Sequence, residues 1–200
     1  MIKSKKELRE LYKPPMVRAI KKEIHSLEKH SKNFLNQSPF CVLSTVDSNG
    51  KMDASPRGGE PGFVKTFNDH TIVMPDAKGN NRLDSLENIL ETGHVGLLFF
   101  LPGLDETLRI NGKAHISIDP KYLSLFKDAP FETLTTVVVE IEQLFMHCAK
   151  AFMRSKLWSL EHQINPKDFP SMGQILKDQI KETGKPESRE DMIERYKDNL

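Results

Sequence analysis

The sequence predicts a mainly β fold with flanking helices, built as a small six-stranded antiparallel barrel. Three observations carry this. Short apolar or alternating runs separated by turn residues fill residues 39–146. One loop–helix unit interrupts that series near residues 75–90, and both ends of the chain change to helical periodicity.

Residues 4–36 read as helical, interrupted at Pro14-Pro15. Val17, Ile20, Ile24, Leu27, Phe34 and Leu35 form an apolar stripe of roughly helical period, so a helix laid on the outside of a core is expected. Residues 40–46 are strand-like, and Asp47-Ser48-Asn49-Gly50 is a turn signal from which residues 51–57 return as a hairpin partner. Glycines and a proline make residues 58–62 a loop. Residues 63–67 and 71–74 form a second predicted hairpin around Asn68-Asp69. After the loop–helix unit, residues 95–101 read as a buried strand, stopped by Pro102-Gly103. Residues 106–118 alternate as one long strand, with an interruption expected at Gly112, and Asp119-Pro120 starts a short helix. Residues 133–145 are β-rich around Val137-Val138-Val139. Helices are predicted over 147–158 and 171–182, with a short one over 189–197. The division expected is a helical extension over 1–36, the barrel over 37–160 and a second helical extension over 161–200.

Two hundred residues bury roughly 70% of the unfolded surface, so a core needs no covalent staples. With 29 basic and 28 acidic residues the net charge is +1, which argues against nucleic-acid binding driven by bulk charge. Cys41 and Cys148 are too few for a disulfide framework and match no zinc spacing. Both read as buried free thiols, in keeping with a cytoplasmic location. No run reaches the length of a membrane span, and the first residues carry no apolar signal core.

The junction at residues 75–88 is the most informative stretch. A glycine-containing loop leaves a strand and opens a helix, with Asn80, Asn81 and Arg82 at the join. Helix N-termini present unpaired N–H groups and partial positive charge, and a guanidinium beside them suits a phosphate. The other reading is an ordinary cap supplied by Asn80 or Asn81. Arg57 ends a strand among small residues and glycines, where a ligand approaches the backbone closely; a surface Arg is the alternative. Thr107, Arg109 and Asn111 project from one strand face, either toward a ligand or into solvent. Lys150, Arg154 and Trp158 recur at i, i+4 and i+8, as a cationic and aromatic stripe or as a solvated face with a Trp anchor. His147-Cys148 has no second pair to make a metal site, and no metal is expected. P-loop, dinucleotide and nucleophile-elbow motifs are absent.

Three segments in order resemble the pyridoxamine 5′-phosphate oxidase-like family of flavoproteins, with the FMN-binding split-barrel fold. They are Ala54-Ser55-Pro56-Arg57-Gly58, the 75–88 loop–helix, and Val95-Gly96-Leu97-Leu98-Phe99 followed by residues 106–114. The stretch from His147 to Trp158 resembles a subgroup of uncertain substrate. The resemblance covers about residues 35–160. It implies a homodimer with FMN at the subunit interface, and a small-molecule substrate or electron donor. By it, Arg57 lies at the flavin phosphate or ribityl chain, and Asn81 and Arg82 occupy the phosphate-binding pair, Asn81 replacing the usual base. Thr107 matches a polar position that touches the isoalloxazine from the second subunit. Arg109 lies beside it on the same strand face, and Lys150, Arg154, Ser155 and Trp158 lie near the cofactor by the subgroup's pattern. The C-terminal Arg-Leu-x-Pro signature of members that oxidise pyridoxamine phosphate is missing. The function implied is an FMN-dependent oxidoreductase. The alternatives are a flavin-binding or sensing module without turnover, and a nucleic-acid-binding barrel, which near-zero net charge disfavours.

Overall fold

The computed structural model describes residues 1–197. Seven strands make one antiparallel sheet: β1 (Phe40–Val46), β2 (Met52–Gly58), β3 (Lys65–Asn68), β4 (Thr71–Ala77), β5 (His94–Phe100), β6 (Thr107–Ser117) and β7 (Thr133–His147). Their order is β2-β1-β5-β6-β7-β4-β3. Six strands were expected. The count differs at the predicted hairpin over 63–67 and 71–74, whose first arm is the short edge strand β3, paired only with β4.

Alternation along the strands explains the core. Cys41 and Leu43 of β1, Leu97 and Phe99 of β5, and Leu108 and Ile110 of β6 point inward and are nearly solvent-free. The residues between them are half-buried on the outer face. The hydrogen-bonded order leaves β2 and β3 as edges, yet the sheet coils until Arg57 of β2 meets Asp76 of β4. The barrel is therefore split, with polar side chains at the seam.

The predicted interruption at Gly112 is a bulge, not a break. Asn111 pairs with Gln143 and Gly112 with Ile141, so Glu142 is the extra residue. A Cβ on Gly112 would lie 2.0 Å from the Glu140 carbonyl oxygen. Beside the bulge, Ile24 exchanges two backbone bonds with Leu144 at 2.9 and 2.8 Å, and His25 Nδ1 lies 2.6 Å from the Glu142 carbonyl oxygen. These bonds hold the N-terminal segment against β7.

The expected N-terminal stripe divides at this point. Ile24, Leu27, Phe34 and Leu35 meet the core, the last two from α3 (Lys29–Gln37). Glu28 caps α3, its carboxylate accepting from the His30 and Ser31 amides. Upstream, α1 (Lys5–Leu11) and α2 (Val17–Lys21) bury nothing, and Val17 and Ile20 are 63% and 60% exposed. The stripe divides because the chain leaves the helix after Lys21 and resumes it only at Lys29, with Ile24 between them extended and bridged to Leu144.

Between β4 and β5 lies α4 (Asp84–Thr92), and after β6 the short α5 (Pro120–Leu123). Downstream, β7 continues through His147, and α6 spans only Lys150–Ser155 because Lys156 takes a left-handed conformation. The predicted 147–158 helix is thus helical only at its centre, with a strand end before it and a turn after it. Finally α7 (Met172–Ile180) and α8 (Arg189–Tyr196) pair, close to the predicted bounds. Of the cysteines, Cys41 is buried as expected, and burial pushes its thiol up to about 12. Cys148 is exposed, because it follows the end of β7 instead of lying within an apolar helix face. Among the described residues no helix is long and apolar enough to cross a membrane.

Gly112→Ala forces a methyl into the β7 backbone. It should destabilise the fold by about 1–3 kcal/mol, read as a lower urea midpoint; an unchanged midpoint would refute the close approach.

Candidate functional site

At the seam, β2 turns Asp53, Ser55 and Arg57 to one side, since they alternate along the strand. Across from them Asp76 continues the row of Ile72 and Met74, whose side chains lie in the core. It therefore sits at the rim where the core gives way to a cavity. That cavity has a volume of about 440 Å³ and is closed by the 78–83 loop, the start of α4, and Leu134 and Thr135 of β7. Its size falls within the range of small-molecule and cofactor sites.

Arg57 Nη1 contacts Asp76 Oδ1 at 3.3 Å, with the two side chains 24% and 16% exposed. Burial raises the Asp76 carboxyl above its ordinary value, and the Arg57 guanidinium offsets this only in part. Arg57 Nε and the Thr135 hydroxyl are buried and, among the described residues, have no hydrogen-bond partner. Buried polar groups in folded proteins are normally satisfied, so both donors point to a missing acceptor.

The loop does not follow the capping reading. Asn80 Oδ1 accepts from the Arg82 amide at 3.0 Å and so tightens the loop instead of capping the helix. Asn81 and Leu83 are left-handed, at φ 59° and 58°. Leu83 stands at the N-cap of α4 with no side-chain bond, and Asp84 and Glu87 already place negative charge in the first turn. Arg82 Nε donates to Asp84 Oδ2 at 2.5 Å; the two side chains are 72% and 46% exposed. The Ser85 hydroxyl donates to Asp53 Oδ2 at 2.5 Å and fastens α4 to β2. Arg57, Lys78 and Arg82 thus face Asp53, Asp76 and Asp84 around one cavity.

Of the residues predicted, Arg57, Asn80, Asn81 and Arg82 line this cavity together. The others do not. Thr107 is buried at the start of β6. Arg109 is half-buried, donating to Gln143 Oε1 at 3.1 Å with its guanidinium 5.0 Å from the Phe145 ring centre. Lys150, Arg154 and Ser155 are exposed on α6. Trp158 lies beyond the end of α6, so the expected i, i+4, i+8 face does not include it. It donates to the Leu104 carbonyl at 3.0 Å and stacks on Phe152, which meets Phe100 of β5. Trp158 is thus the anchor of this segment. His147 ends β7, and burial, with help from Lys22 and Arg109, lowers its pKa.

Sequence reasoning missed Asp53, Asp76 and Thr135. The alternation Asp53, Ser55, Arg57 carried a signal for the first; for Thr135 there was none.

A coiled antiparallel sheet with a polar cavity at its seam defines the class of fold. The chain matches the family described as pyridoxamine 5′-phosphate oxidase over residues 27–148, more than half its length, and it belongs to that family. No curated protein matches it. Among solved structures, HupZ of Group A Streptococcus is similar at 16% identity with a TM-score of 0.51, over 60% of this chain and 93% of that one. An FMN-binding protein from Syntrophomonas wolfei subsp. wolfei shares 15% identity, with a TM-score of 0.46 over 58% of this chain and 83% of its own. At such identities the likeness to HupZ speaks for the fold alone.

The folded chain holds the Asp76 proton to higher pH than the unfolded chain does. The stability this group contributes is therefore greatest below its unfolded value, near 3.8, and falls as pH rises through its raised folded value. Asp76→Asn should remove that slope. Urea unfolding of both proteins across acid to neutral pH should show wild type losing stability relative to the variant as pH rises; parallel profiles would contradict the assignment.

Proposed function

We propose that the chain is an FMN-dependent oxidoreductase that holds the phosphate end of the flavin in the seam cavity and works as a homodimer. The observation that carries this reading is the pair of unpartnered buried donors, Arg57 Nε and the Thr135 hydroxyl, at a cavity of cofactor size. An anionic oxygen at Arg57 would satisfy its unused donor through a charge-assisted bond. Lys78 and Arg82 bring further positive charge from the loop, and the left-handed Asn81 and Leu83 fix its path. The residues present therefore fit a phosphate.

When bound, FMN supplies the redox chemistry, and the protein binds and orients it. Arg57 would anchor the phosphate and Asn80, Asn81 and Arg82 would close over it. Thr107, Arg109, Lys150, Arg154, Ser155 and Trp158 do not line this cavity, so in this reading any contact they make with the flavin comes from the second subunit. The half-buried outer face of the sheet, with Arg109 and Phe145 at its centre, is the surface this dimer would cover.

Arg57→Ala should weaken FMN binding by about 1.5–3 kcal/mol, the range for a hydrogen bond to a charged group. Arg82→Ala should cost less, because that side chain is exposed and engaged by Asp84. Quenching of flavin fluorescence on titration measures both. Wild-type protein that ignores FMN, or an Arg57→Ala affinity equal to wild type, would overturn the reading. Sedimentation velocity tests the dimer separately.

A further inference from the structure

The cavity holds as many carboxylates as cations, which is an unexpected balance for a site that takes a phosphate. Asp76 is the informative one. Its oxygen touches the same guanidinium that the anion would need, at 3.3 Å, and it sits at the rim of the core. A dianion bonded to Arg57 would lie within a few ångströms of this carboxylate, where two like charges repel strongly. We infer that Asp76 is an exchangeable internal counter-ion: an entering anion takes Arg57 from it, and Asp76 takes up one proton from solvent in return. This rests on the reading that the cavity receives the flavin phosphate.

The surroundings favour this exit over others. From β2, Arg57 and Asp53 face Asp76; from the loop, Lys78 and Arg82; from α4, Asp84. The β7 residues at the cavity, Leu134 and Thr135, carry no charge. Asp53 is engaged by Ser85 and Arg82 by Asp84, and the loop cations Lys78 and Arg82, which face the entering anion, make no ion pair with Asp76. Arg57 is the one cation in contact with Asp76 among the described residues. Burial already favours the neutral acid there, and losing Arg57 removes the interaction that opposes it. Cofactor affinity is then coupled to pH by a single residue: protonation of Asp76 accompanies capture, and rising pH favours release.

The test is calorimetry of FMN binding at pH 7.5 in two buffers of different ionisation enthalpy, for the full chain and for Asp76→Asn. Any proton taken up by the phosphate itself is common to both proteins and cancels in the difference. Wild type should take up close to one proton more than the variant per FMN, and the variant should bind at least tenfold more tightly. Equal proton uptake overturns the inference, whatever the affinities. If Asp76→Asn fails to fold, Asp76→Ser serves the same comparison. Should neither protein bind FMN, the flavin reading alone fails, and inorganic phosphate in the same experiment decides the exchange. Phosphate bound by neither protein would overturn the exchange as well.

Discussion

The contact between Arg57 and Asp76 is the constraint on which the rest of the site depends. It joins β2 to β4, which stand at nearly opposite ends of the hydrogen-bonded order. No backbone ladder closes the sheet there, so a partly desolvated ion pair marks the seam instead. Such pairs gain little net stability, because desolvation offsets most of the attraction. What this one provides is position. It holds a guanidinium at the mouth of a cavity with one of its donors still unused.

The seam exists because the remainder of the sheet is coiled. The two long strands, β6 and β7, carry the bulge at Gly112 and Glu142, and bulges increase local twist. The N-terminal segment then bonds to β7 beside the bulge, through Ile24 and His25. A small conformational demand, one residue without a Cβ, thus acts through strand curvature on a cavity built from β2, β4 and α4. The loop before α4 carries a similar demand in two left-handed non-glycine residues, Asn81 and Leu83. Strain of this kind concentrates at ligand-binding segments.

Much of this was legible in the sequence. Alternation located every strand to within a few residues, and Gly112 marked the irregularity in β6. The loop–helix at 75–88 and Arg57 were singled out, and they do share one cavity. What failed did so for physical reasons. The six-strand barrel count was one short although the hairpin over 63–67 and 71–74 was read, because β3 is a four-residue arm on the outer edge of β4. The helix predicted over 147–158 rested on i, i+4 spacing, which cannot reveal that β7 runs through His147 or that Lys156 turns left-handed. Asp76 is silent in one dimension because its importance comes from a residue 19 positions away across the seam. The same holds for Thr135, since nothing in Thr133-Leu134-Thr135-Thr136 tells which threonine turns to the cavity. The two clusters, cavity and α6 segment, also cannot be ordered in space from one chain's sequence; their separation within the folded chain is what gives the dimer reading its content.

The most direct test of the central claim is a crystal structure of the chain grown with FMN. The account predicts the flavin phosphate in the seam cavity, within hydrogen-bond distance of Arg57, with the 78–83 loop against it. A phosphate bound elsewhere, with Arg57 still paired to Asp76 and its Nε unsatisfied, would contradict it.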